Sequence, residues 1–184
     1  MKSAIRKSMT GVVLLLAVIA MAMVPTAASA TDQFFMQVAG IPGTITRAAG
    51  GNWMDVLAFS GNAVAPSTQK NKTSTTPCSI SVSKYVDISS PRLWAATATG
   101  QIITSVELQA VKIGNGAAAG AEFVFYDVLL TNAQITSISD GGSTADGTPT
   151  ENLSFQASNV TLTSTPQNAD GTAGTPVTTS FPCN

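Results

Sequence analysis

The chain contains no histidine. That excludes the Ser-His and Cys-His nucleophile arrangements and the usual zinc and iron ligand sets. Charge is scarce too, at 10% of 184 residues. No basic excess is present to neutralise a phosphate backbone, so nucleic acid is excluded as a partner. Aromatic residues make up 6% of the chain, and cysteine occurs twice. Ser, Thr, Ala and Gly are plentiful, which suits an exported β protein.

The first 30 residues read as a targeting segment. Lys2, Arg6 and Lys7 precede an apolar run at 11–24, Pro25 breaks the run, and Ala28-Ser29-Ala30 has the small-x-small pattern of a signal-peptidase site. The alternative is an uncleaved anchor, but the run is shorter than the roughly 20 residues a spanning helix needs. Cleavage between Ala30 and Thr31 is therefore expected. The product is an exported protein, periplasmic or extracellular, with no stable membrane insertion. Cleavage leaves six basic residues against ten acidic ones. The remaining length suits one domain, burying about 68–70% of its unfolded surface.

Cys78 and Cys183 lie 105 positions apart. In an oxidising compartment a disulfide is the expected state, either within the chain or between subunits. Within the chain it would contribute about 4–5 kcal/mol in the chain-entropy account.

Alternation dominates the rest. Residues 34–38, 52–60, 78–86, 102–113, 122–139 and 151–164 read as strands. In the third of these, Ile80, Val82 and Lys84 alternate with serines. In the fourth, Val106, Leu108 and Ala110 alternate with Ser105, Glu107 and Gln109, as a half-buried strand requires. Residues 122–139 form one long strand, or two joined by a bend near Asn132. Leu153, Phe155 and Ala157 share one phase while Val160 and Leu162 share the other, which predicts a bulge near Ser158. Gly40-Ile41-Pro42-Gly43 is a turn, and 44–51 a loop or weak strand. Gly114-Asn115-Gly116 opens a hairpin-like connection. Residues 63–77 and 140–147 are polar loops, and 165–184 is a Thr/Gly/Pro-rich tail.

One helix is expected, at 91–99. Ser89 and Ser90 offer hydroxyls to the free amides of its first turn. Pro91 suits the first helical position. Leu93 and Ala96 recur at helical spacing, and Gly100 closes the helix in the left-handed conformation. Six or seven strands with one short helix predict a mainly β barrel or sandwich, the helix covering an open edge or end.

No catalytic, cofactor or metal site is assigned. Asp127, Asp140, Asp146 and Glu151 flank a Gly-rich loop, yet they match no calcium-loop spacing, and turns favour Asp for conformational reasons. Asp87, Ser89 and Ser90 read as a helix cap rather than a catalytic group. Trp53 and Trp94 each lie in a regular element and read as core or interface anchors rather than a sugar-stacking surface. The sequons at Asn71, Asn152 and Asn159 carry little weight alone.

One segment resembles a known family. "SKYVDISSPRL", residues 83–93, is similar to the strand-to-helix passage of Hcp, the haemolysin-coregulated tube protein of type VI secretion. "FFMQVAGIPG" and "DVLAFSGN" resemble the family's opening strand, "GIxG" turn and second strand. "ITSVELQAVKIG", "EFVFYDVLLTNAQITSISDGG" and "ENLSFQASNV" follow in family order. The resemblance runs from Phe34 to Leu162. It implies a two-sheet β-barrel with one short flanking α-helix, over a barrel domain at 31–164, between the targeting segment at 1–30 and the tail at 165–184. It also implies a structural protein, not an enzyme. Such proteins form homohexameric rings that stack into tubes and meet secretion-tip or effector proteins. The long loop reaching a neighbouring ring would span Ala63 to Pro77, with Lys70 and Lys72 within it. A monomeric envelope or extracellular binding module, for a cell-surface partner or polymer, is the alternative. The chain departs from the family in its signal segment, in Thr44 where an acidic residue is common, and in its cysteine-bearing tail.

Overall fold

The computed structural model describes residues 31–63, 78–113, 122–144, 147–169 and 172–183. Among the described residues, eight strands and one helix follow one another: β1 Thr31–Val38, β2 Ile45–Thr46, β3 Asn52–Ala63, β4 Cys78–Tyr85, α1 Ser90–Thr99, β5 Ile102–Ile113, β6 Glu122–Gly141, β7 Thr150–Ser164 and β8 Val177–Pro182. All pairings are antiparallel. Hydrogen bonding runs β1-β5-β6-β7-β4-β3-β2, and a further β1–β3 pairing closes the path into a six-stranded barrel. Closure removes most of the exposed edges an open sheet would present. The mainly β, two-sheet barrel with one flanking helix expected from the sequence is what forms.

The barrel is filled by side chains of every closing strand. Met36, Met54, Val82, Leu108, Leu130 and Phe155 are all buried within it, and Leu93 and Ala96 of α1 complete the same core at one end. A smaller cluster of Phe35, Trp53 and Val111 lies apart from it. Phe35 and Met36, adjacent on β1, thus point into different cores, as the twofold period of a strand dictates.

The long strands turn a corner together. Burial changes phase in β5 between Ile103 and Val106, in β6 between Leu130 and Ala133, and in β7 between Phe155 and Val160. These points face one another, since Ile103 pairs with Ala133 and Ala133 with Ala157. Asn132 sits at the corner with φ 49°, a left-handed conformation that Asn tolerates better than most residues. Strands that pass from one sheet to the next bend in this way. The bulge expected near Ser158 is not there. The β6–β7 register is continuous from Tyr126↔Ser164 to Ile135↔Phe155 and shifts only between Ile135 and Ser137. Residues 122–141 are accordingly one bent strand.

The tail also differs from its sequence reading. Residues 177–182 form β8 against β7. The reason lies in strand length. β7 has 15 residues and β4 only 8. β4 covers β7 from Thr150 to Gln156, and β8 covers the same edge from Asn159 to Ser164. Both run antiparallel to β7, so β8 ends where β4 begins. Cys183 and Cys78 are joined there by a disulfide, with Cα atoms 5.5 Å apart, and the Cys183 amide donates to the Ser158 carbonyl at 2.9 Å. Two distant chain segments are thereby spliced into one long neighbour for β7.

Candidate functional site

The motif segment resolves into a buried ion network. Lys84, inward-facing on β4, is fully buried, as is Glu151 at the start of β7. The Lys84 ammonium donates to Glu151 Oε1, to Asp87 Oδ1 at 3.0 Å and to the Tyr85 carbonyl at 2.8 Å. Ser90 donates to Glu151 Oε1 at 2.9 Å and accepts from the Asp87 amide at 3.0 Å. Asp87 Oδ1 also accepts from the amide of Ser89, at 2.8 Å, and from its hydroxyl. Burial raises the Asp87 carboxyl, but hydrogen bonds from Ser89 and Lys84, together with the Lys84 charge, outweigh it and hold the group below its ordinary 3.8. A buried ion is tolerated only when paired and hydrogen-bonded. Lys84, Asp87, Ser89, Ser90 and Glu151 supply those partners from three elements, with Glu151 bonded through Oε1 alone.

This alters the reading of the helix cap. Ser89 is the N-cap residue but makes no side-chain cap bond, and α1 begins at Ser90 rather than Pro91. The Ser90 hydroxyl goes to Asp87 and Glu151 and so is withheld from the first-turn amides, because a buried carboxylate needs donors more than a helix start needs one acceptor. The backbone carbonyl of Ser89 accepts from the Arg92 and Leu93 amides instead, at 3.0 Å each. Pro91 occupies the first turn, and Gly100 ends the helix with φ 64°, a conformation in which glycine carries no Cβ penalty.

A second node was not visible in the sequence. Arg47, 5% exposed, follows β2. Its guanidinium lies 4.5 Å from the ring centroids of both Phe35 and Trp53. It donates to Glu122 Oε2 from two nitrogens, at 2.8 and 3.1 Å, and to Gln109 at 2.7 Å. A planar cation suits such a sandwich better than an ammonium would. Gln109 in turn donates to Glu107. Burial raises the Glu107 carboxyl above its ordinary 4.5, and the charge and shared hydrogen bond of Asp127 raise it further, against the lowering effects of Gln109 and Arg47. The cleft beside the Gly40 turn, about 340 Å³, is lined by Glu107, Gln37, Asn52 and Ser105. The turn itself needs glycine at position 43, where an added Cβ would lie 2.1 Å from the Trp53 carbonyl oxygen.

The remaining candidates fall as follows. Asp127 sits beside Glu107, Asp140 accepts from the Trp94 indole at 2.9 Å, and Glu151 belongs to the Lys84 network, so these carboxylates serve three separate networks. Asp146 lies outside the described residues. Trp53 is buried, whereas Trp94 is 44% exposed on α1. Ala63 ends β3 on the surface. Lys70, Lys72 and Pro77 lie outside the described residues, as does Ala30, while Thr31 opens β1. Among the described residues no helix is long and apolar enough to cross a membrane.

Residues 35–163 match the family described as "Type VI secretion system effector, Hcp". The chain belongs to the Hcp family. The family is one of secreted tube proteins, not of enzymes. Solved Hcp-type structures share the fold. One described as a type six secretion system protein superposes with a TM-score of 0.71 at 21% identity, covering 83% of this chain and 96% of its own. Hcp1 of Salmonella typhimurium gives 0.63 at 20%, covering 82% and 94%. Secreted Hcp3 of Pseudomonas aeruginosa gives 0.55 at 22%, covering 85% and 99%. Comparison with curated protein sequences yields no match. The Hcp match ends at residue 163, so β8 and Cys183 lie beyond it.

Proposed function

We propose that this chain is an exported Hcp-type structural protein that assembles through its own copies into homohexameric rings able to stack. The observation that carries this reading is the family match across a barrel that still offers unsatisfied backbone. Among the described residues, β3 from Ala58 to Ala63 pairs only with β4, and β8 pairs only with β7. Free edges of this kind are templates for pairing with another chain. Ile88, Trp94 and Ile102 add exposed apolar surface at the helix end, at 65%, 44% and 58%. Such surface is ordinarily covered by a partner when it is contiguous. The loop beginning at Ala63 supplies the contact between rings, and secretion-tip or effector proteins are the further partners.

Negative-stain microscopy and light scattering of the chain from Thr31 onward test this. Six-membered rings and a mass near six chains are expected. A strictly monomeric mass at high concentration would refute it. A second reading, a monomeric envelope module, draws support from β8 and the disulfide, which cover a β7 edge that would otherwise be open to a neighbour. It predicts a monomer retained on cell-wall polymer.

A further inference from the structure

The two ends of the barrel are finished differently, and the difference creates a cavity. At one end Leu93 and Ala96 of α1 are buried in the core. Among the described residues, the other end leaves a gap between the inner face of β6–β7–β8 and the wall made by β3 and β4. A cavity of about 210 Å³ lies there, lined by Phe59, Ile80, Tyr126, Leu162 and Phe181. Cys78 forms part of its wall, and Asn62 brings an amide to it. No lining residue is charged. Phe59 and Tyr126 lie nearly parallel, 6.3 Å between centroids and 11° between planes.

Phe181 belongs to β8, beyond the family match, and is held two residues from the Cys183–Cys78 bond. The tail thus supplies one wall of this cavity.

We propose that this mouth is a binding site for a small uncharged apolar ligand, a single aromatic ring carrying one hydrogen-bonding substituent. Barrel mouths are recurrent ligand sites, built from apolar and aromatic side chains with a few polar groups to orient the guest. An apolar cavity of about 150 Å³ already holds benzene, while drug-sized ligands need about 300 Å³ or more. The volume here sets the guest at one substituted ring. The uncharged lining rejects an ion, because nothing would compensate its lost hydration. Asn62 and the Tyr126 hydroxyl are the groups available to a phenol or a similar substituent. The proposal does not depend on ring assembly.

The probe is p-cresol, titrated into the chain from Thr31 onward and followed by calorimetry and by methyl NMR. One saturable site is expected, with shifts confined to the methyls of Ile80, Val128, Val160 and Leu162. Leu162→Trp, which fills the cavity, weakens binding at least tenfold. So does Cys183→Ser, which frees the Phe181 wall. Thr161→Ala, on the opposite face of β7, leaves binding unchanged. Absence of saturable shifts at millimolar p-cresol overturns the proposal, as does a folded Leu162→Trp chain that binds like the parent. The same methyl shifts appearing on concentrating the protein without p-cresol would overturn it too, because a second copy would then fill the mouth.

Discussion

The helix end and the mouth of the barrel hold the same strands, β4 and β7, by opposite means. At the helix end, the fully buried Lys84–Glu151 pair lies across β4 and β7 at the centre of a polar network. At the mouth, a covalent bond joins β4 to β8 along the same β7 edge. The first solution needs five polar residues correctly placed and no particular redox state. The second needs two residues and an oxidising environment. The comparison teaches that a motif conspicuous in the sequence specifies local geometry through buried charge, while a motif-poor tail is held by strand pairing locked with one covalent bond.

The largest effect should follow from breaking the ion network on one side only. Lys84→Met leaves the Glu151 and Asp87 carboxylates without their cation. A loss of about 3–5 kcal/mol is expected, seen as a lower midpoint in urea. Adding Glu151→Leu should recover most of it, because an apolar pair of similar volume often replaces a buried ion pair without loss. If the double variant is no better than the single, the network contributes more than compensation of its own charges. Acid should act at this end as well. The Asp87 carboxyl is lower in the folded chain than its ordinary 3.8, so its contribution is complete above that value and is lost as pH falls through the folded-state value.

Breaking the mouth instead should cost less. Cys78→Ser with Cys183→Ser, or reduction, should remove about 2–4 kcal/mol, the usual range for a disulfide and below the roughly 4–5 kcal/mol of the chain-entropy account, because residual structure in the unfolded chain reduces the entropic gain; that is a fall in Tm of roughly 5–15 °C for a chain of this size. Hydrogen exchange separates the two ends. Protection should drop for the amides of β8 and of Asn159–Ser164 that β8 covers, while the amides of Ser90–Thr99 keep theirs. Equal loss at both ends would show that the barrel opens as one unit and would remove the distinction between them.

How much of this was legible varies with the range of the physics involved. Strand positions were readable because a twofold period is local, and the inward phase of Lys84 could be read from Ile80 and Val82 on the same strand. The phase change in β7 was visible, but its cause was not. It belongs to a corner shared by β5, β6 and β7, and Asn132 on the neighbouring strand carries the unusual backbone. β8 was hidden because its Thr/Pro-rich sequence has no apolar alternation. It forms because β7 outlasts β4 and needs a second neighbour. Arg47 and Glu122 are 75 positions apart, and nothing in either segment announces the pairing. The resemblance to Hcp located the ion motif without saying what its residues do.

A smaller change at the helix end tests whether the motif serines hold the ion network or the helix. Ser90→Ala removes a donor to Glu151 and an acceptor for the Asp87 amide. A loss of about 1–3 kcal/mol is expected from a buried carboxylate left short of a donor. Ser90→Thr keeps the hydroxyl and should retain most of the stability. If Ser90→Ala instead frays only the first turn, seen as exchange confined to the first residues of α1, the hydroxyl serves as a cap after all.

The smallest effect should appear away from both ends, and with the opposite pH sign. Burial and the nearby Asp127 keep the Glu107 carboxyl above its ordinary 4.5 in the folded chain. Between that value and the raised one, the folded state holds a proton that the unfolded state has released. Stability therefore falls as pH rises through this window, whereas the Asp87 contribution is gained as pH rises. Glu107→Gln removes the like-charge contact with Asp127 and leaves an amide in its place. A gain below about 1 kcal/mol is expected at pH 7, as for other partly exposed charge pairs, shrinking toward zero near pH 4. Urea midpoints at the two pH values decide it. An equal change at both would mean that Glu107 acts through packing, and that the acid sensitivity of the barrel belongs to the helix end alone.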